Sequence, residues 1–137
     1  MADNITSLAG TWRQLAAGAK RAEYITYEQL FAAYRQTYAL FKGLKTERLL
    51  PREAFRIIML IDEFTYYATM LDENYMGEIK AGLCYLNYSL KGEFFISDYQ
   101  TEFFIGAMPS EIKDRIATLE NMSLDEFIAF LKGEEER

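Results

Sequence analysis

The residue whose surroundings make chemistry most conceivable is Asp62. At 100° per residue it falls on a helical stripe among Phe55, Ile58, Met59 and Tyr66. An ionised carboxylate in such a setting is costly unless it is paired or hydrogen-bonded. A buried acid there could bind a ligand in an apolar cavity walled by Phe55, Met59 and Tyr66, with its pKa raised by desolvation. The simpler alternative is a face open at the edge of a bundle, or a tyrosine or arginine that pairs with Asp62. Asp98 and Glu102, four residues apart on one expected helix, could share Mg²⁺ with further ligands. A solvated acidic face explains them more simply.

Two other groups point to binding. The chain has ten tyrosines, and tyrosine joins a large apolar surface to one polar handle, a combination enriched at interfaces. About half lie on expected core stripes. Tyr67, Tyr75, Tyr85 and Tyr88 lie off the cleanest stripes and are the surface candidates, with Asp98 and Glu102 as the acidic part of the same interaction set. The second group is basic: Lys42, Lys45, Arg48, Arg52 and Arg56, spaced 3, 3, 4 and 4. Such a run could contact phosphate. Against this, the pI is about 4.8, whereas a nucleic-acid-binding domain is usually basic. A solvated connector facing acidic partners in the same chain is the simpler account.

The absences are sharper. There is no histidine, which removes the usual general base, the commonest transition-metal ligand and the Ser-His or Cys-His nucleophile pair. One cysteine without histidine nearly excludes a zinc site. No phosphate-binding Gly-rich motif and no EF-hand loop occurs. The expectation is a protein that is not an enzyme and carries no cofactor or metal. Cys84 lies in an apolar stretch and reads as a reduced, packed thiol.

Half of the 137 residues are hydrophobic and 15% aromatic, a composition that a disordered chain does not have. The charge is uneven. Residues 1–56 hold nine Lys/Arg against five Asp/Glu, a balance of +4, and residues 57–137 hold six against sixteen, a balance of −10. This asymmetry can steer a charged partner or be satisfied within the fold. The start, Met1-Ala2-Asp3-Asn4, lacks the basic segment and apolar run of a secretion signal. The longest aliphatic run, Ile57 to Ile61, is far short of the roughly 20 residues a bilayer requires. A cytoplasmic protein without a membrane span is expected.

The elements that must position these groups follow helical grammar. Ile5, Leu8, Trp12, Leu15 and Ala19 put one apolar face on a first helix ending at Lys20. Thr26-Tyr27-Glu28-Gln29 fits a capping box for a second, with Tyr27, Leu30, Phe31, Tyr34, Tyr38 and Phe41 on one face and Gly43 placed to end it. A third starts near Pro51. It carries one stripe of Ile57, Leu60, Ile61, Phe64, Ala68 and Leu71, a second of Phe55, Ile58, Met59, Tyr66 and Met70, and a narrow solvated band of Arg52, Arg56 and Glu63. Two apolar sides predict a central helix with neighbours on both.

A fourth helix from about Glu73 to Lys91 shows Met76, Ile79, Leu83, Leu86 and Leu90, with Gly82 allowing close helix contact and Gly92 placed to end it. Glu93 to Ile96 could be extended. Ser97-Asp98-Tyr99-Gln100, Pro109-Ser110 and Ser123-Leu124-Asp125-Glu126 open three shorter helices, and residues 134–137 read as a frayed tail. The predicted architecture is all-α: a single-domain helical bundle over residues 1–137, with about four main helices and two or three short C-terminal ones.

Function is legible only as a class. The first expectation is a small acidic protein-interaction module: an adaptor, inhibitor or regulator with a protein partner. A second copy of the chain is one candidate partner, because the third helix has two apolar sides to cover. The alternative is a nucleic-acid-associated regulator using Lys42 to Arg56. The third is an apolar-ligand-binding bundle around Asp62.

Overall fold

The computed structural model describes residues 2–46, 52–70, 78–94, 103 and 105–133. Among these the protein is all-α. Four long helices come first: α1 (Ala2–Lys20), α2 (Tyr27–Thr46), α3 (Arg52–Met70) and α4 (Lys80–Phe94). Two short ones follow, α5 (Ser110–Ala117) and α6 (Leu124–Leu131), with a 3₁₀ turn at Leu119–Asn121 between them. The chain divides into two compact units, Met1–Gly77 and Glu78–Arg137, each described here in its own right.

In the first unit every residue of the α1 periodicity is buried: Ile5, Leu8, Trp12, Leu15 and Ala19. Trp12 is the hub. Its indole N–H donates to Thr37 Oγ1 on α2 at 2.8 Å, and that hydroxyl donates onward to the Ala33 carbonyl at 2.7 Å. The indole also meets the rings of Tyr34 on α2 (centroids 5.0 Å apart) and Phe64 on α3 (5.6 Å), both edge-on, the geometry that the ring quadrupoles favour. α1 packs extensively on α3 and more sparingly on α2. Alanines buried on both helices, Ala9 and Ala16 on α1 and Ala54 and Ala68 on α3, limit the bulk that would hold the axes apart.

The ends of these helices have local causes. Gln29 N–H donates to Thr26 Oγ1 at 3.1 Å and Thr26 N–H to Gln29 Oε1 at 2.8 Å, completing the capping box expected for α2. α1 ends in a Schellman motif: Glu23 N–H donates to the Gly18 carbonyl at 2.9 Å and Ala22 N–H to the Ala19 carbonyl at 3.1 Å. The turn requires φ of 56° at Ala22, a left-handed conformation that costs a residue with a Cβ about 1–2 kcal/mol.

Three expectations are corrected here. α2 runs through Gly43 to Thr46, because a mid-helix glycine costs only about 1 kcal/mol and the helix buries Leu44 just beyond it. α4 likewise passes Gly92 and continues to Phe94, so Glu93 and Phe94 are helical rather than extended. And α3 is covered on one side only. Ile57, Ile61, Phe64 and Ala68 of the first stripe are buried, and of the second stripe Ile58 is buried too, whereas Phe55, Met59, Tyr66 and Met70 are exposed. It is α1 that packs on two helices.

In the second unit, Ile79, Leu83, Leu86 and Leu90 are buried as their spacing predicts. Pro109 opens α5, its carbonyl accepting from Ile112 N–H at 3.0 Å and Lys113 N–H at 3.1 Å. The capping box of α6 is complete, with Glu126 N–H donating to Ser123 Oγ at 3.1 Å and Ser123 N–H to Glu126 Oε1 at 3.0 Å. Hydrogen bonding from the Ser123 backbone N–H and side chain to the ionised carboxylate holds Glu126 below its ordinary value of 4.5. α4 meets α6 at Gly82, where a Cβ would stand 2.8 Å from Leu131 Cα and 2.9 Å from its carbonyl oxygen. The start of helix four at Glu73 to Gly77, the Ser97 capping box and the tail 134–137 lie outside the described residues.

Two glycine-related substitutions test this packing in urea denaturation. Gly82→Ala should destabilise the protein by about 2 kcal/mol, because the backbone of Leu131 must shift and that overpacking outweighs the gain in helix propensity. Gly10→Ala, with nothing within 4 Å of the added Cβ, should stabilise by about 1 kcal/mol; equal effects at both sites would mean that the α4–α6 approach is not tight. Separately, Ala22→Gly should raise stability by about 0.5–1 kcal/mol by relieving the left-handed strain, and a loss of stability would argue against the Schellman turn.

Candidate functional site

The outward face of α3 is set by the inward one. Ile57, Ile61, Phe64 and Ala68 must face the rest of their unit, and at 3.6 residues per turn the opposite side then presents Phe55, Met59, Tyr66 and Met70. These are 55%, 59%, 59% and 58% exposed. They form a stripe about 22 Å long at 1.5 Å per residue. Single exposed apolar residues are ordinary, but four large ones aligned on one helix form a patch of the kind that marks an interaction surface. One flank carries the exposed charges Arg52, Arg56 and Glu63. The other carries Asp62, partly buried.

Asp62 therefore does not occupy an enclosed apolar cavity. It is only partly buried, and Phe55, Met59 and Tyr66 stand open to solvent, so they cannot wall a pocket around it. This corrects the buried-acid expectation in favour of the open face at the bundle edge. Tyr67 sits on the shoulder of the stripe, partly buried. The Lys20 ammonium of α1 lies 5.7 Å from its ring centroid, within cation–π range, and the Tyr66 ring meets it edge-on at 5.3 Å. Tyr85 and Tyr88 are partly buried on α4, with Lys91 Nζ 6.0 Å from the Tyr88 ring. Tyr75, Asp98 and Glu102 lie outside the described residues.

Of the basic run, Lys42 is exposed on α2, and Arg52 and Arg56 are exposed one turn apart on α3. Lys45 belongs to α2, but its side chain, like Arg48 altogether, lies outside the described residues. The two described arginines of α3 have Glu53 and Glu63 exposed on the same helix, so the local field there is mixed.

The described residues offer little reactive chemistry. No cluster of three acidic or cysteine side chains gathers among them. Cys84 is partly buried, and burial pushes its thiol up against the opposing pull of Lys80, which keeps it protonated and poorly nucleophilic at neutral pH. An open groove of about 610 Å³ runs beside α1 and α2, floored by Ala17, Gly18 and Ala33 and rimmed by Gln14 and Gln36. At one end Arg21 hydrogen-bonds Glu23 and holds its carboxyl below the ordinary value. Neutral amides and small apolar residues can bind but provide no acid–base pair.

The exposed stripe is visible in the sequence as an apolar pattern, where it reads as a second packed side. The signal that separates the two cases was also present. Phe55, Met59, Tyr66 and Met70 adjoin the Arg52, Arg56 and Glu63 band, whereas the inner stripe is centred well away from it, roughly 130° around the helix at 3.6 residues per turn. Comparison of the chain with protein-family models, with curated proteins and with solved structures finds no match.

Proposed function

We propose that this protein is an interaction module that works by surface binding rather than catalysis, and that the outer face of α3 is its contact surface. One observation carries this reading: four large apolar side chains aligned and exposed on one helix. Keeping such a stripe in water forgoes the burial of several apolar side chains, each worth about 1.5–3 kcal/mol when fully covered. A partner recovers part of that on binding. A straight stripe about 22 Å long suits a helix laid beside it, with Arg52, Arg56, Asp62 and Glu63 at the rim, where charges set orientation and partner choice more than affinity.

A nucleic-acid role has less support. It would rest on Arg52, Arg56 and Lys42, with carboxylates beside the two arginines and a protein of net charge −6 overall. The apolar face beside the two arginines also has no counterpart in a phosphate-binding strip.

The triple variant Phe55→Gln, Met59→Gln and Tyr66→Gln tests the surface. These positions are more than half exposed, so folding should be retained, with stability changing by no more than about 0.5 kcal/mol per site. In parallel pull-downs at high salt, protein bound by the wild-type chain should be lost by the variant. An identical bound set for both would sink the assignment of this face. Nucleic acid recovered only at low salt, with no protein at high salt, would move the function to the basic residues.

A further inference from the structure

We infer that the occupant of the α3 outer face is a second copy of this chain, its α3 lying antiparallel across a two-fold axis near Met59. This rests on the interaction reading above and names the partner. The geometry points to it through charge. Arg56 and Glu63 are both exposed and lie on the same flank of the apolar stripe. Seven residues separate them, about 10 Å along the axis, too far to pair with each other, and neither takes part in an ion pair among the described residues. A two-fold axis perpendicular to a helix brings each flank against the same flank of its mate. It therefore sets Arg56 beside Glu63 of the partner subunit and Glu63 beside Arg56 of the partner subunit, forming two ion pairs from one surface. This is the self-complementarity that an isologous interface demands.

The apolar stripe falls into the same register. With Arg56 level with Glu63 of the partner subunit, the axis passes between positions 59 and 60, so Met59 meets Met59 of the partner subunit within about 1.5 Å along the helix, and Phe55 comes within about 3 Å of the level of Tyr66 of the partner subunit, inside the reach of both rings. Tyr66 lies beside Phe55 of the partner subunit by symmetry. One register thus satisfies three apolar positions and two charges on each chain. A parallel pair would bring opposite flanks together, as parallel coiled coils do, and would leave Glu63 against the flank that carries Asp62 and Thr69, with no cation. A single helix pair covers less than the roughly 800 Å² per partner of a standard stable interface, so the dimer is expected in the micromolar range. The ion pairs fix register and orientation while the apolar contacts supply affinity.

Sedimentation of the full chain from low micromolar to millimolar concentration, with three variants, decides it. Wild type should pass from monomer to dimer. Arg56→Glu and Glu63→Arg each set like charges against one another twice, and each should weaken the dimer about 10-fold or more. The double variant Arg56→Glu/Glu63→Arg restores opposite charges and should dimerise like wild type. An equimolar mixture of the two single variants should form the heterodimer that neither forms alone. Helical circular dichroism, unchanged across the set, removes misfolding as a cause. A wild-type chain that stays monomeric throughout overturns the inference, as does a dimer indifferent to single reversal or a double variant that is not rescued. If the chain is monomeric but the Phe55/Met59/Tyr66 variant still loses a protein partner, the interaction surface stands and only its occupant is wrong.

Discussion

The first unit depends on satisfying one buried donor. The Trp12 indole is fully buried, and its N–H would cost about 1–3 kcal/mol if it had no acceptor. Thr37 supplies that acceptor and passes its own proton to the Ala33 carbonyl, so the polar groups at the centre form a closed chain. A hydrogen bond of 2.8 Å tolerates little sliding. It fixes the register of α1 against α2. The edge contacts of the same indole with Tyr34 and Phe64 extend the constraint to α3. The rotation of α3 about its own axis is thereby set, and with it the identity of the residues it turns to water.

The exposed stripe is thus a consequence of core packing as much as of its own composition. A helix with apolar residues on two sides can turn either inward. Phe64 against Trp12 and the alanines at positions 54 and 68 favour one orientation, since small residues let α1 approach and large ones on the opposite side would not. Phe55, Met59, Tyr66 and Met70 are left outside, beside charges that keep the surface hydrated when it is uncovered. A surface of this kind suits binding that is specific and reversible: enough apolar area to favour association, with charges that reject wrong registers.

The second unit shows the same logic on a smaller scale. Its helices are short, and an isolated helix of eight residues is marginal in water. Two devices hold them. The Ser123–Glu126 capping box satisfies donors at the start of α6, and Gly82 lets α4 approach the backbone of Leu131, where any side chain would intrude. Local hydrogen bonding and close packing together replace the length that α5 and α6 lack.

Much of this was legible in the chain itself. The end of α1, the capping boxes at Thr26 and Ser123, the proline that opens α5, the inner faces of α1, α3 and α4 and the close contact at Gly82 all follow from periodicity and from the hydrogen-bonding needs of helix ends, whereas α1 begins at Ala2 rather than near Ile5, with Asp3 and Asn4 inside the helix and not capping it. These are properties of a helix considered alone. The chain could not say which of two apolar faces would find a neighbour, because periodicity gives the angle of a residue about its axis and nothing about what stands opposite. Asp62 is only partly buried, and α1 rather than α3 packs on two helices, for that reason. Gly43 and Gly92 failed to end their helices for a related one: a glycine weakens a helix by a small, fixed amount, and whether the helix continues depends on what the next turn can bury, as Leu44 does. That balance is settled only when helices pack, since burial is a relation between segments and is not written in any one of them.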